Sequence, residues 1–337
     1  MRFLPVLLVV AAALPGCFED PSPTPAGSED GGTVGSFDAS HDAGSPGTLD
    51  AGMPTPSDAA AHPSADAASP LSADASATCG YSPSDPHALA KLMVTPIAND
   101  ADADVRFACL AELLTDQGDR RAPFATLYSM TTTNVRAAIA AGEFQDAAWT
   151  AKYLETFAEL YRQSFYDYQV GNPGPVPEAW QIAFATAAGK KELVVQDLAL
   201  GVNAHVDRDL AFALEIVGIG DTPALQLERF SDHTTVNNVL HAELSSALGK
   251  IANLYAPGFN EAPAVVLTVL ENTFFGALVT GRQNAWDNAE SLVGTSGAAH
   301  DAVEQTIETE ATTAADAILT PDLSPQLMAV LHQLEGT

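Results

Sequence analysis

Positive charge is scarce in this sequence. Fourteen Lys and Arg stand against 43 Asp and Glu, for a formal net charge of −29 over 337 residues. Phosphate backbones and anionic headgroups would be repelled by such a chain, which excludes nucleic acid as a partner. Cysteine is almost absent: only Cys17, Cys79 and Cys109 occur. There is no HExxH, no paired CxxC, no GxSxG and no phosphate-binding glycine loop, so no reaction is written in a motif. Beyond the N-terminus no second apolar segment reads as long enough to cross a membrane, and any attachment is expected through lipid.

What is present begins with an address. MRFLPVLLVVAAALPGC carries one cation, Arg2, then an apolar run from Phe3 to Leu14. That run is too short for a permanent span and has the layout of a secretory signal over residues 1–16. Leu14-Pro15-Gly16-Cys17 resembles a bacterial lipobox, which predicts cleavage before Cys17 and lipidation of its thiol. Phe18 follows the cysteine, where the Asp of an inner-membrane retention signal is missing. The expected location is therefore the bacterial cell envelope, lipid-anchored, with the outer membrane favoured. Once Cys17 is lipidated, Cys79 and Cys109 are an even pair in an oxidising compartment and are expected to form a disulfide; two free, buried thiols are the alternative.

Residues 17–78 read as a disordered linker. From 18 to 78 there are ten acidic residues and no Lys or Arg, amid abundant Pro, Ser, Gly and Ala. Such a composition cannot bury enough apolar surface to offset its ordering entropy. Asp42, Asp50, Asp58, Asp66 and Asp74 recur every eight residues, each followed by Ala. Eight is neither a coiled-coil nor a solenoid period, so the repeat reads as a duplicated spacer, with a reach of about 45 Å as a flexible coil.

From residue 79 to 337 the composition turns to Ala, Leu, Val and aromatics, with helical periodicity almost throughout. Helices are predicted at 102–116, 122–141, 146–170, 177–189, 192–217, 231–256, 263–294, 298–319 and 324–334. AVVLTV, residues 264–269, is the one strand candidate, and it runs into a helical pattern. The predicted fold class is all-α, a multi-helix domain of nine or ten helices, read as a monomer.

Chemistry is concentrated in ALGVNAHVDRDLAFAL, residues 199–214. On a helical wheel, Val195, Leu198, Val202, Val206, Phe212, Ala213 and Ile216 share one side, while Gln196, Asp197, Asp207, Arg208 and Glu215 share the other. His205 and Asp209 fall inside the apolar arc, one turn apart. A lone ionised carboxylate there is costly, so Asp209 needs a proton, a donor or a cation. Three readings stay open. The pair could supply two ligands to a single divalent metal. It could be a metal-free dyad, the carboxylate fixing the imidazole tautomer for general-base work. Or it could be structural, locking helix register.

Six pieces then carry a resemblance: FATLYSMTTTNV (124–135), YLETFAELYRQSFYD (153–167), GPVPEAW (174–180), LALGVNAHVDRDLAFAL (198–214), FSDHTTVNNVL (230–240) and RQNAWDNAESL (282–292). In this order they resemble a bacterial and fungal family known as domain of unknown function 5995. The similar region is a core of about 120–294. The resemblance implies an all-α domain and assigns no reaction. It draws attention to Asn203, His205, Asp209, Asp232, Asn237, Arg282 and Trp286.

Plain roles exist for each of these. Asp232 sits just inside a predicted helix start, where capping would suit it. Asn237 could bond back to the main chain, and Arg282 could stack on Trp286 one turn away. Arg282 is also the last basic residue, with nine acidic ones after it. A solitary cation there could pair with Asp209 or with an anionic substrate group. Trp149, Tyr153, Phe157, Leu160 and Ser164 read as helical core first and pocket lining second. His233 and His241 lie about 80° apart on their helix, which disfavours a multi-zinc site. Two function classes remain: an exported, tethered hydrolase or other acid–base catalyst using His205 and Asp209, with Asn203, Asp232, Asn237, Arg282 and Trp286 binding substrate; or a non-catalytic domain that binds a small-molecule or envelope ligand.

Overall fold

The computed structural model describes residues 79–321 and 324–335. Cys17, the signal segment and the repeat lie outside them. The described residues build helices, and no strand occurs among them. They are α1 (Ala88–Met93), α2 (Asp100–Asp116), α3 (Ala122–Ala141), α4 (Ala147–Gln169), α5 (Glu178–Gly189) and α6 (Val194–Val202). A π-helical segment, Asn203–Asp209, leads directly into α7 (Leu210–Val217). Then follow α8 (Pro223–Tyr255), a short 3-10 turn (Pro257–Glu261), α9 (Ala264–Val293), α10 (Ala298–Leu319) and α11 (Pro325–Glu335).

Local chemistry accounts for the boundaries. The Asn99 side chain accepts from the Asp102 N–H to open α2, and Asp146 accepts from the Trp149 N–H to open α4. Helix α8 starts at Pro223 behind a Thr222 cap, earlier than the expected 231, because proline suits a first turn and ends nothing there. Inside α8 the Thr234 and Thr235 hydroxyls bond back to the Ser231 carbonyl. The strand candidate at 264–269 forms the first turns of α9. Helix α1 had no counterpart in the periodicity reading.

One membrane expectation needs correction. Helix α9, with a mean hydropathy of 1.5 over its most apolar stretch, is long and apolar enough to cross a membrane by length and composition. From its second third onward it contributes Phe274, Leu278, Ala285 and Trp286 to the core, whereas Val265, near its start, is exposed.

The helices that matter for the site converge on α6, the π segment and α7. Helix α3 packs on α2, α6 and α8; α7 packs on α4 and α9; the π segment packs on α9 and α10. Close approach is built in by glycine at two places. A Cβ on Gly201 would lie 2.5 Å from the Phe124 ring, and one on Gly281 would lie 2.7 Å from an Asp207 carboxylate oxygen. Gln196 and Asp197, read as solvent-facing, are buried: Gln196 donates to the Ile318 carbonyl, and Asp197 pairs with Arg120 at 2.7 Å. Ile216, read as core, is exposed. The segment is thus enclosed on nearly all sides, and a two-sided wheel misassigns its far face.

Cys79 and Cys109 form a disulfide with a Cα–Cα distance of 5.6 Å, tying the start of the domain to α2. The bond spans 30 residues of sequence. In the chain-entropy account its removal costs about 3–4 kcal/mol. Cys79→Ser with Cys109→Ala should therefore lower the urea midpoint without changing the helical circular dichroism. An unchanged midpoint would mean that the crosslink does not constrain the unfolded chain.

Candidate functional site

The π segment sets the geometry. At its end the Leu210 N–H donates to the His205 carbonyl, five residues back, instead of to Val206. Such insertions often mark functional positions. Here the segment carries Asn203, His205 and Asp209 into the core, and all three are at most 1 % exposed.

His205 and Asp209 meet. Nδ1 of the imidazole lies 3.3 Å from Oδ2 of the carboxylate. The same Oδ2 accepts from Trp180 Nε1 at 2.7 Å, and Oδ1 accepts from Arg208 at 2.7 Å. Burial alone would raise the Asp209 carboxyl; the hydrogen bond from His205 and the charge of Arg208 outweigh it and hold the group below the ordinary carboxylate value. Arg208, placed by the wheel on the polar side, curls back to Asp209 and also pairs with Glu308 of α10 at 2.7 Å. The partner of Asp209 is therefore Arg208 and not Arg282.

The imidazole sits in an aromatic cage. Phe157 stacks on it at 3.5 Å between centroids, and Tyr128 meets it edge-on at 4.4 Å. Phe124, Tyr161 and Trp180 complete the surround. Burial lowers the His205 pKa, and the bond and charge of Asp209 only partly offset this. The ring is thus neutral at pH 7, with Nδ1 donating to Asp209 and Nε2 carrying a lone pair. That Nε2 is buried and has no hydrogen-bond partner. The Tyr128 hydroxyl is buried and unpartnered too.

Both residues line a cavity of about 80 Å³ between α3, α4, α6, the π segment, α8 and α9. Its wall is mostly apolar, including Leu127, Val135, Phe157, Val236 and Leu240; its polar groups include Tyr128, Tyr153, His205, Glu243 and Arg282. His205 and Asp209 do not face this cavity together. Instead the pair closes on itself: Asp209 is fully buried behind the ring, and only His205 reaches the cavity.

The other expected site residues divide. Arg282 lines the cavity, held by Asn237 Oδ1 at 2.7 Å and by the His233 carbonyl at 2.5 Å. Asn237 thus orients Arg282, in place of the expected bond to its own main chain. Asn203 is elsewhere, donating to the Ala311 carbonyl of α10. Asp232 caps, but not its own helix: its two oxygens accept from the Gln145 and Asp146 N–H groups just before α4. Trp286 does not stack with Arg282; it meets Phe230 at 5.1 Å and His233 at 5.3 Å and donates to Glu290. It borders a separate surface groove. His233 is buried, accepting at Nδ1 from the Tyr153 hydroxyl and donating from Nε2 to the Arg282 carbonyl. His241 lies at the surface against Phe275.

A metal fits this donor set poorly. Both oxygens of Asp209 are taken by donors, one of them a guanidinium that would repel a cation. A surface cluster of His300, Asp301 and Glu304 has ligand atoms within 4.8 Å of one another, but Nε2 of His300 already lies 2.5 Å from Glu215.

Two buried imidazoles give the fold a pH dependence. His205 is lowered by burial, and His233 well below its ordinary 6.5 by burial and then by the Arg282 charge. Around and below pH 6.5 the unfolded chain binds protons that the folded chain refuses. This contribution is present above pH 6.5 and is lost as pH falls from there through the lowered folded-state values. Asp197, which burial raises to about 7, works in the opposite sense over the same range. The imidazole part is therefore read as a difference: His233→Gln should lose less melting temperature on acidification than the parent does. An equally steep drop in that variant would assign the effect to other groups.

The pattern that carries the cavity extends across the chain. A family of unknown function, DUF5995, has a model that matches residues 105–321. This chain belongs to the DUF5995 family. No curated protein and no solved structure matches it significantly. The DUF5995 match is wider than the 120–294 suggested by the six pieces, and it takes in α10, which supplies Glu308 to Arg208 and the Ala311 carbonyl to Asn203. Among the residues that sequence reasoning missed, Glu243 was legible. With Val236 and Leu240 it falls on one apolar arc of α8, the same signal that singled out His205. Trp180 was visible only as part of GPVPEAW, since nothing local says where an indole N–H will point.

Proposed function

We propose that this DUF5995 domain is an acid–base catalyst, a hydrolase of small, largely apolar molecules, in which His205 is the general base. One observation carries the reading: Nε2 of His205 is buried and unpartnered at the cavity wall while Nδ1 is tied to an ionised Asp209. In such a dyad Nε2 takes a proton from water as the water attacks the acyl carbon, and Asp209 stabilises the imidazolium that forms. The imidazolium returns the proton to the departing oxygen or nitrogen as the acyl bond breaks. Arg208 and Trp180 keep Asp209 charged and oriented. Burial, and then the charge of Asp209, raise the Tyr128 hydroxyl well above its ordinary pKa. It therefore stays protonated and is suited to donate to the oxygen on which charge develops.

Short-chain p-nitrophenyl esters and amides are the panel with which to test this. His205→Gln and Asp209→Asn should lower turnover about 10²–10⁴-fold while leaving the fold in place. Turnover that survives His205→Gln rejects the reading. A domain that binds without turnover is the second reading, favoured by the mostly apolar wall of the cavity. It would show ligand affinity and no His205-dependent rate.

We further propose that the chain is anchored to the outer membrane through lipid on Cys17, as LPGC after the apolar run supports. Mass analysis of the membrane fraction from bacteria expressing the full chain should find a diacylated N-terminal Cys17. A soluble mature form starting elsewhere contradicts it.

A further inference from the structure

The cavity holds a cation that nothing neutralises. Arg282 is 4 % exposed, and its partners are neutral: Asn237 Oδ1 at Nε, the carbonyl and Nδ1 of His233 at Nη2, and the Tyr153 hydroxyl. Among the described residues Arg282 forms no ion pair within 4.0 Å. A buried guanidinium without a counter-charge is costly, and the fold supplies anions to its other buried arginines: Arg106 has Asp102 and Arg162 has Glu159, as the half-buried Arg120 and Arg208 have Asp197 and Asp209. Arg282 stands apart from them at a cavity wall.

Glu243 shares that wall but does not answer the charge. Its carboxylate is engaged by Thr131 and Asn134, and burial raises its pKa. It also lies six residues beyond Asn237 on α8, about 9 Å along the axis at 1.5 Å per residue. The apolar wall lies between these ends, and His205 and Tyr128 line the same space.

We propose that the cavity binds a short apolar carboxylate, its anionic group held by Arg282 and its hydrocarbon part by Val236, Leu240 and Phe157. This deepens the hydrolase reading, on which it rests for the fate of the ligand: the substrate carries a carboxylate at one end and its reacting bond near His205. The volume of about 80 Å³ sets the scale. It is roughly half that of a cavity known to admit benzene, so only a short chain fits. A chain of net charge −29 repels free anions overall, so a preference for a carboxylate must arise locally.

Butyrate, butyramide and butylammonium form the test series, titrated into the unaltered protein at 150 mM salt while methyl resonances of Val236 and Leu240 are followed by NMR. Butyrate should bind at least tenfold more tightly than butyramide or butylammonium. Arg282→Gln should reduce the preference over butyramide to less than twofold, and Arg282→Lys should retain part of it. His205→Gln should leave it intact, which separates this inference from the catalytic one: loss of turnover with retained butyrate binding supports both. The proposal is overturned if butyramide or butylammonium equals butyrate, if butyrate does not perturb the cavity methyls, or if the preference survives in a folded Arg282→Gln. The ligand series on the unaltered protein decides the matter even if the Arg282→Gln variant does not fold.

Discussion

Asp209→Leu alone should destabilise the domain by about 3–5 kcal/mol, the usual cost of breaking a buried ionic pair by removing one partner. The reason lies in what is left behind. Trp180 Nε1 and His205 Nδ1 lose their acceptor inside the core, and Arg208 keeps only Glu308. A buried donor without a partner costs about 1–3 kcal/mol. Adding His205→Leu removes one of those orphans and places an aliphatic group between Phe157 and Tyr128, so the double variant should recover part of the loss. His205→Gln and Asp209→Asn preserve shape and some hydrogen bonding, and should cost much less while lowering turnover about 10²–10⁴-fold. Urea midpoints for the four variants, set beside ester hydrolysis, distinguish the cases. A double leucine variant as stable as the parent, with no change in ligand binding or turnover in any of them, would make the pair structural.

Gly201→Ala is expected to be a strongly damaging single methyl, set against Phe124 of the cavity wall. Its Cβ would stand 2.5 Å from Cγ, 2.7 Å from Cβ and 2.8 Å from Cδ2 of Phe124. No flexible chain end is available to move aside. Phe124 is wedged by Tyr128, Tyr161, Trp180 and His205 at centroid distances of 5.9, 5.0, 5.4 and 5.7 Å. Relief must come from shifting α3 against α6, and with it the wall of the cavity. Overpacking a tight core costs typically about 1–3 kcal/mol, and this case should reach or exceed the upper end. The expected readout is a lowered melting temperature together with altered ring resonances of Tyr128 and His205. Gly201→Ala at parental stability would mean that the two helices are not in such close contact.

Helix periodicity was enough for the architecture. The predicted 122–141 matches α3 and 298–319 matches α10, because in both an apolar stripe repeats cleanly and the ends carry their own signals. The same periodicity failed where burial is two-sided. From 194 to 217 a wheel must assign half the residues to solvent, yet Gln196, Asp197 and Asp207 are buried against other helices. It also assumes a uniform angle per residue, which the π segment breaks.

The site was legible in its centre and not in its supports. His205 and Asp209 stood out because polar groups on an apolar arc need a reason, and Arg282 stood out through the family resemblance and as the last basic residue. Which of them share a cavity depends on how α8 and α9 cross the π segment, and no local pattern encodes that. Asn203 and Asp232 shared the same emphasis, yet they bind main-chain groups on other elements. Arg208 was hidden by its own flexibility, since a long side chain can return to the face opposite its Cα.

The account turns on one proton. Selective 15N labelling of histidine and long-range 1H–15N correlation read the tautomer of His205 directly. The account predicts a neutral ring at pH 7 with the proton on Nδ1 and a bare Nε2, and prediction extends to Asp209→Asn, in which that preference should weaken. A proton on Nε2, or an imidazolium at pH 7, would contradict it, because no lone pair would then face the cavity.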